Sequence, residues 1–315
     1  MEKISLIIPC YNEEESLPTL YKELRRVTAH MSEYEFEMLF VDDGSKDKTM
    51  PLIKEIASRD ERVKYISFSR NFGKESAMYA GFCNATGNYV AALDADMQDP
   101  PSLLPKMMKI IKEKGYDSVA TRRVMRKGEP KIRSFFARAF YKIMHKISDV
   151  DIVDGARDFR LMKREMVDAI VAMCEQDRFS KGIFGWIGFK TYWLPFENVQ
   201  RVAGKTKWSF GKLFKYSFDG IMAFSDVPLK LPKYLSILSF IASLGMLIWA
   251  FVRRLAQNLP FFSWQLVTGI VLGCTGVILA CMGVMCAYLG KINKEVKRRP
   301  QYLVRETNKD DLILR

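Results

Sequence analysis

The sequence predicts an α/β domain with a mostly parallel sheet, followed by amphipathic segments and a hairpin of two membrane-spanning helices. Two observations carry this prediction. Short β-rich runs alternate with amphipathic helical patterns over residues 4 to 121, an order typical of strand–helix–strand units with right-handed crossovers. Long charge-free apolar runs occur only after Tyr234, and each is long enough to span a bilayer.

The predicted strands are short and rich in β-branched and aromatic residues. In chain order they are Ile4–Pro9, Phe36–Val41, Val63–Phe68, Tyr89–Leu93 and Ser118–Thr121. Between them, apolar residues such as Leu17, Leu20 and Leu24 recur at helical spacing. Because parallel strands carry chemistry at their carboxyl ends, the residues that follow these strands are the first candidates for a site.

Two basic amphipathic segments follow, at residues 130–147 and 206–222. Each has apolar side chains on one face with lysines and arginines around it, a pattern that can lie on a membrane surface. For the first segment, an ordinary helix that faces a core with a basic outer face is equally compatible. The second segment lies just before the apolar runs, and this position favours the interfacial interpretation.

The apolar runs, residues 234–252 and 255–290, contain no charged residue. A short connector near Pro260 joins them, and Trp249 and Trp264 suit the membrane interface. Lysines and arginines concentrate before and after the pair, with only Arg253 and Arg254 between, which predicts cytoplasmic ends. No secretory signal is visible at the N-terminus. We therefore expect an integral protein of the cell membrane, with the first domain and both termini in the cytoplasm.

These patterns predict four regions along the chain. They are a cytosolic domain (1–205), an amphipathic juxtamembrane segment (206–232), the transmembrane hairpin (233–290) and a basic cytoplasmic tail (291–315). The tail is polar beyond Pro300, and we expect it to be mobile.

The net charge of +13 favours phosphate-rich partners such as nucleic acid, anionic lipid or a nucleotide substrate. No nucleic-acid-binding module is recognisable, so we expect no nucleic-acid partner. The six cysteines include no C-x-x-C pair, and we interpret them as small buried hydrophobic residues of a protein in a reducing compartment. Two histidines are too few for a histidine-based metal site, so any metal ion would be held by oxygen.

Acidic motifs follow the first two strands. The first strand ends in Pro9-Cys10-Tyr11-Asn12-Glu13, without the glycines that a dinucleotide-binding fold needs. The second ends in Val41-Asp42-Asp43-Gly44-Ser45, whose carboxylates can accept hydrogen bonds from a base or a ribose. Taken alone, the first motif can simply favour a helix N-terminus and the second can simply form a turn.

The fourth strand ends in Asp94-Ala95-Asp96-Met97-Gln98-Asp99-Pro100-Pro101. Asp94 and Asp96 are two residues apart and can direct hard oxygen ligands the same way, and Gln98 adds a neutral oxygen. This set suits Mg²⁺ or Mn²⁺ that also binds substrate phosphates. Asp99, before two prolines, is predicted to be a helix cap.

Together the three motifs resemble PCYNEE, VDDGSxDxT and DADxQDPP of the family 2 glycosyltransferases with a GT-A fold, a Rossmann-like nucleotide-sugar-binding domain. Residues 157–162 resemble the family's DFRL segment, and residues 201–208 resemble its R-x-x-G-x-[ST]-K-[YW] segment. With the hairpin, the chain resembles polyprenyl-phosphate glycosyltransferases of the bactoprenol glucosyltransferase and dolichol-phosphate mannosyltransferase kind, over residues 4 to about 290.

The resemblance implies a role for each matching residue. The nucleotide would be bound by Pro9, Tyr11, Glu13, Val41, Asp42 and Asp43, and the diphosphate and its metal by Asp94, Ala95, Asp96 and Gln98. The cations that contact phosphate would be Arg122, Arg133, Arg201 and Lys207. The catalytic residues would be Asp96, Arg122, Asp158 and Arg201. Without the resemblance, these cations can equally be surface or juxtamembrane charges.

The resemblance also implies the reaction. A sugar, with UDP-glucose favoured as donor, would move with inversion to undecaprenyl or another polyprenyl phosphate at the cytoplasmic membrane face, making a lipid-linked donor for cell-envelope glycans. GDP-mannose, UDP-N-acetylhexosamine and UDP-aminoarabinose derivatives remain open as donors. The sequence lacks the Q-x-x-R-W of processive polysaccharide synthases, the nearest rival. The second alternative is a non-catalytic, membrane-anchored protein that binds a nucleotide sugar. The hairpin can also support self-association of the protein.

Asp158 is the family's candidate base, but a phosphate monoester is already mostly a dianion at pH 7. We therefore expect Asp158 to orient the acceptor or the metal at least as much as it removes a proton. The alternative role of Asp158 is structural, as the partner of Arg157 or Arg160 in an ion pair. Arg157 stands where the family often has glycine, and arginine disfavours the positive φ that glycine adopts.

Overall fold

The computed structural model describes residues 1–123, 153, 155–196, 227–257 and 264–313. The predicted amphipathic stretches at 130–147 and 206–222 lie outside the described residues, as do Arg133, Arg201 and Lys207. The chain divides into two compact units. The first comprises Met1–Gly220 and Arg299–Arg315, and the second comprises Ile221–Arg298.

The described part of the first unit is built on a sheet with helices on both faces. Its strands are β1 (Glu2–Cys10), β2 (Tyr34–Asp42), β3 (Val63–Phe68), β4 (Tyr89–Ala92), β5 (Ser118–Arg123), β6 (Ala156–Lys163), β7 (Thr191–Phe196) and β8 (Val304–Thr307). Its helices are α1 (Leu17–Ala29), α2 (Thr49–Arg59), α3 (Lys74–Asn84), α4 (Leu104–Lys114), α5 (Arg164–Ala172) and α6 (Ser180–Trp186).

The described strands form one sheet in the order β7-β5-β6-β4-β1-β2-β3-β8. The pairs β1–β2, β1–β4, β2–β3 and β5–β7 are parallel. Strand β6 runs antiparallel between β4 and β5, and β8 runs antiparallel along β3. The predicted mostly parallel α/β fold and its five strands are therefore confirmed, while β6, β7 and β8 are additions.

The core lies on both faces of the sheet because alternate residues of β1 point to opposite sides. Ile4, Leu6 and Ile8 pack with apolar residues of α1, α2 and α4. On the other face, Leu39 and Val41 of β2 pack against α3. The strands are thus buried on both faces, which leaves the loops at the strand ends as the accessible part of the sheet.

The C-terminal residues are part of the sheet, so the predicted mobile tail after Pro300 is wrong. Tyr302 is 2% exposed, and its ring stacks on that of Phe68 with centroids 4.9 Å apart. The Ser69 N–H donates to the Leu303 carbonyl at 2.9 Å. Three residues of β8, Val304, Glu306 and Thr307, then pair with β3. The last part of the first unit begins at Arg299.

The second unit contains two long helices, α7 (Val227–Gln257) and α8 (Trp264–Lys297). Val227–Met246 and Gly269–Lys297 are long and apolar enough to cross a membrane. Large apolar side chains are exposed along both helices, Leu238 at 64% and Leu272 at 67%. By length and composition, the two helices agree with the predicted hairpin.

Candidate active site

The loops that follow β1 and β2 are joined by hydrogen bonds. The register places Cys10 opposite Asp42, so the two strands end at the same level. The Asn12 N–H donates to Ser45 Oγ at 2.9 Å, and the Glu13 N–H donates to Thr49 Oγ1 at 2.7 Å. Pro9, Tyr11 and Glu13 are half-buried along this joined edge, and Val41 is fully buried behind it.

Glycine is required at position 44 between these loops. Gly44 has a φ of +67°, and a Cβ there would lie 2.5 Å from the carbonyl carbon of Arg70. The loop after β2 therefore packs directly against the backbone that follows β3. This close approach brings the ends of β1, β2 and β3 into one surface.

Asp42 and Asp43 hold these loops in place. Asp42 accepts hydrogen bonds from Ser67 Oγ at 2.9 Å and from the Ser45 N–H at 3.1 Å. Asp43 accepts bonds from Asn71 Nδ2 and from the N–H groups of the following two residues, Phe72 and Gly73, at 2.6 to 2.9 Å. Burial raises the pKa of the Asp43 carboxyl to about 6 against these bonds. Both carboxylates are buried and bind the loops that form the predicted nucleotide pocket.

The loop after β4 presents the predicted metal ligands at the neighbouring strand end. Leu93 N–H donates to the Ile7 carbonyl at 3.0 Å, which keeps this loop beside β1. Ala95 is buried, and Asp94, Asp96 and Gln98 are half-buried. The Gln98 N–H donates to Asp96 Oδ1 at 3.1 Å, and Met97 between them takes a positive φ of 60°. The turn therefore holds the two side chains on one loop.

Lys74, the first residue of α3, connects this loop to Asp158 on β6. Its Nζ lies 2.6 Å from Asp94 Oδ1 and donates to Asp158 Oδ2. Burial raises the pKa of Asp158, but Lys74 and Lys181 outweigh burial and hold that pKa well below its usual range. Burial lowers the pKa of Lys74, and the two carboxylates outweigh it and raise the pKa. Asp158 is therefore ionised, and it pairs with Lys74 instead of Arg157 or Arg160.

Lys74 is the site residue that the sequence reasoning missed. A single lysine at the start of a helix forms no pattern. The available signal was its position: it follows β3, whose carboxyl end lies at the same sheet edge as those of β1, β2 and β4.

Arg157 binds the other side of the metal-ligand loop. Its Nε lies 3.1 Å from both carboxylate oxygens of Asp99, and its Nη2 donates to Gln98 Oε1 at 3.2 Å. The prediction of Asp99 as a helix cap is wrong, because Pro100 is at the cap of the 3-10 turn and the Asp99 side chain is fully buried against Arg157. Burial raises the pKa of Asp99 to about 6 despite this cation.

The arginine in place of the family's glycine causes no backbone strain. Arg157 lies in β6, and the positive φ of +80° belongs to Gly155, where a Cβ would lie 2.6 Å from the Arg123 carbonyl oxygen. Arg122 is exposed near the end of β5 and pairs in register with Ala156 at the start of β6. Both arginines therefore belong to the same sheet edge as Asp158.

The oxygen ligands of this edge fit a hard divalent cation that the substrate helps to bind. No group of three His, Cys, Asp or Glu side chains that could hold a metal occurs among the described residues. Mg²⁺ commonly needs only one or two carboxylates when substrate phosphates and waters complete its shell. Asp94 already holds a positive charge, the Lys74 ammonium. Asp94, Asp96 and Gln98 are therefore the side chains of this loop that could hold Mg²⁺ or Mn²⁺ together with substrate phosphates.

Comparison with known proteins gives one family. The model of Glycosyl transferase family 2 matches residues 5–171. The protein CsbB of Bacillus subtilis is 41% identical over 305 residues, which are 97% of this chain and 92% of CsbB. The SfII prophage-derived bactoprenol glucosyl transferase of Shigella flexneri is 37% identical over 309 residues, which cover 98% of this chain and 99% of that protein.

A further relative and one solved structure are also similar. The prophage bactoprenol glucosyl transferase homolog of Escherichia coli K12 is 36% identical, over 98% of this chain and 100% of its own length. The crystal structure of mannosyl-3-phosphoglycerate synthase from Rubrobacter xylanophilus has 15% identity and a TM-score of 0.47, over 70% of this chain and 72% of that one.

Proposed function

The chain belongs to glycosyl transferase family 2, and we propose that this glycosyltransferase moves a sugar from a nucleotide sugar, with UDP-glucose as the favoured donor, to a polyprenyl phosphate lipid. The relatives named as bactoprenol glucosyl transferases align over nearly their full length with this chain, including the two apolar helices. Their names support the lipid acceptor and glucose.

One observation in the structure carries the proposal most strongly. Lys74 joins Asp94, in the loop suited to a metal and a diphosphate, to Asp158 on β6. Beside Asp94 lies the joined edge of the β1 and β2 loops, which can take a nucleoside. Groups suited to the leaving diphosphate and a group suited to the acceptor thus lie next to each other, as a transfer between two anionic substrates requires.

In the proposed reaction an oxygen of the lipid phosphate forms a bond to the anomeric carbon from the face opposite the leaving group. The bond from that carbon to the diphosphate oxygen breaks, its electron pair stays with UDP, and the configuration inverts. A divalent cation at Asp94, Asp96 and Gln98 would supply electrostatic stabilisation of the departing diphosphate. Arg122, together with Arg201 and Lys207, is proposed to bind phosphate oxygens.

Asp158 is proposed to orient reactants. A base must have a pKa near the working pH to accept a proton efficiently, and the pKa of Asp158 lies well below its usual range. The acceptor needs little deprotonation, because the second pKa of a phosphate monoester is about 6. Asp158 instead holds the Lys74 ammonium in position, and this ammonium also contacts Asp94.

The topology of the chain supports a hairpin with both ends on one side of the membrane. Strand β8, which follows the two long helices, pairs with β3, which precedes them. This pairing supports one compartment for the residues on both sides of the hairpin, and two spans between them agree with it. The flanking lysines and arginines favour the cytoplasm for that compartment, where nucleotide sugars are available to the proposed site.

The experiment that tests this function uses purified full-length protein in lipid with undecaprenyl phosphate and a panel of radiolabelled nucleotide sugars. We expect label from UDP-glucose in the organic phase with Mg²⁺ or Mn²⁺, and no transfer after a chelator is added. Asp96→Asn is the inactive control. Transfer from another donor would replace glucose, and nucleotide binding without any transfer would favour a non-catalytic binder.

A further inference from the structure

A cavity of about 200 Å³ lies over the face of the sheet beside β6 and β7, next to α6. Three cations and three aromatic rings contribute to its lining: Arg157, Arg160, Lys181, Phe184, Phe189 and Trp193. All belong to the first unit. The cavity is smaller than the roughly 300 to 1,000 Å³ of a site for a drug-sized ligand, so it cannot enclose a whole nucleotide sugar.

Arg160 is an unusual residue in this cavity. It is 3% exposed, and its guanidinium carbon lies 4.2 Å from the ring centroid of Phe184 and 5.5 Å from that of Trp193. Its Nε is buried and has no hydrogen-bond partner. Burial lowers the pKa of Arg160 to about 9. A buried cation with an unused donor is costly unless something binds it.

The cavity adjoins the candidate active site through two of its cations. Arg157 lines the cavity and donates to Gln98 in the metal-ligand loop. Lys181 lines it from α6 and lies close enough to Asp158 to lower the pKa of that carboxyl. An anion in the cavity is therefore placed beside both the proposed diphosphate loop and Asp158.

We propose that this cavity binds the phosphate monoester headgroup of an isoprenoid lipid, with Arg160 as its principal binding residue. This inference rests on the proposed function and assigns its acceptor subsite. A dianion offsets the charges of Arg160 and Lys181 and accepts a hydrogen bond from the unused Nε. The rings of Phe184, Phe189 and Trp193 supply apolar surface for the first carbons of the lipid chain. A neutral sugar in the cavity would not offset the charges of Arg160 and Lys181.

The test is calorimetric titration of the full-length protein in detergent with farnesyl phosphate, with and without UDP. Inorganic phosphate and farnesol are separate arms that carry only the headgroup or only the chain. We expect farnesyl phosphate to bind more tightly than either. Equal binding of inorganic phosphate would identify a free-phosphate site, and absence of farnesyl phosphate binding would overturn the proposal.

Variants assign the binding to the cavity. Arg160→Met is expected to weaken farnesyl phosphate binding about tenfold or more, as loss of a hydrogen bond between charged groups does. Its UDP affinity should stay within about twofold. Lys181→Met should weaken farnesyl phosphate binding several-fold. If Arg160→Met does not fold, Lys181→Met alone tests whether the headgroup binds in the cavity. Lys190→Met, which removes the same charge from an exposed neighbouring position outside the lining, should leave the affinity unchanged.

Two results contradict the assignment. Wild-type affinity in folded Arg160→Met and Lys181→Met would show that the cavity does not bind the headgroup, even if sugar transfer is observed. An equal loss of UDP affinity would assign the cavity to the donor. Conversely, if these variants lose farnesyl phosphate binding while the wild type transfers no sugar, the subsite stands and the proposed function fails.

Discussion

At the scale of single residues, the candidate site is a set of charges that satisfy one another. Asp94 and Asp158 share Lys74, and Asp99 and Gln98 share Arg157. Arg157 stands where the family often has glycine, it lies in a strand without a positive φ, and its charge is matched by the buried carboxylate of Asp99. The exception is Arg160, which lies over the rings of Phe184 and Trp193, feels the charge of Asp158 and has no hydrogen-bond partner for its buried Nε.

Lys74 should stabilise the site most when no divalent cation is present. Without its ammonium, Asp94 and Asp158 become two carboxylates with no shared cation. Lys74→Met should lower the free energy of unfolding by about 2 kcal/mol in chelator, a value between those of exposed and buried pairs because the Lys74 side chain is a third exposed. Thermal or chemical unfolding in detergent measures this.

The same measurement with added Mg²⁺ or Mn²⁺ tests whether Asp94 takes part in metal binding. The metal should restore more stability to Lys74→Met than it adds to the wild type, because it replaces the missing positive charge. Lys54→Met, which breaks only the exposed pair with Glu306, is the matched control and should respond to metal as the wild type does. Equal responses in all three proteins would show that Asp94 takes no part in metal binding.

Asp43 gives a stability difference that depends on pH. Its pKa is raised from 3.8 to about 6, so the folded protein holds this proton more strongly than the unfolded chain. The stabilisation from Asp43 is therefore fully present below about pH 4 and is lost as the pH rises through 6. Relative to Asp43→Asn, the wild type should lose about 2 kcal/mol between pH 4 and pH 7.

The comparison isolates Asp43 because every other titrating group is common to both proteins. Denaturant unfolding at a series of pH values gives the difference directly. The lost hydrogen bonds of the asparagine shift the whole curve without changing its slope. A difference that does not vary with pH, or one that grows in the opposite direction, would contradict the buried carboxyl described here.

At the scale of secondary structure, the sequence identified the strands that lie deep in the sheet and missed those with mixed surroundings. The runs of β1 to β5 are apolar and bounded by turn residues, so their pattern is visible. Strand β7 has an exposed Pro195 and lies at an edge, where proline is tolerated. Strand β8 is four residues long and carries Arg305 and Glu306, so it shows no hydrophobic pattern.

Strand β6 was missed for another reason. Its sequence was noticed for Asp158, and its first charged residues are half-buried because they face the candidate site. The apolar alternation of Phe159 and Leu161 was the available signal. The strand-end motifs could be predicted, because parallel strands bring their carboxyl ends together. The pairing of Lys74 with Asp158 could not, because it depends on how β6 packs beside β4.

The C-terminal strand should contribute strongly to stability. Tyr302→Ala removes a buried ring that stacks on Phe68, and we expect a loss of about 3 kcal/mol in the free energy of unfolding. Tyr302→Phe keeps the ring and removes only the hydroxyl that donates to the Ile313 carbonyl at 3.2 Å. It should cost about 1 kcal/mol. If Tyr302→Ala unfolds at the wild-type denaturant concentration, the segment is the mobile tail that the sequence suggested.

At the scale of the whole molecule, the chain combines a unit that we propose binds a water-soluble nucleotide sugar with two helices whose apolar side chains are exposed. Large exposed apolar patches on a protein are typical of surfaces that contact a membrane or another protein. A polyprenyl phosphate is apolar except for its headgroup, so an enzyme that uses it has to work at a membrane surface. The net charge of +13 favours the same anionic surface.

The central claim is that polyprenyl phosphate accepts the sugar. The most direct measurement is UDP release from UDP-glucose by the purified protein, followed together with lipid-linked label, with and without undecaprenyl phosphate. We expect UDP and glucosyl lipid to appear in equal amounts and only when the lipid phosphate is present. UDP release at the same rate without the lipid, or with undecaprenol in place of its phosphate, would contradict it.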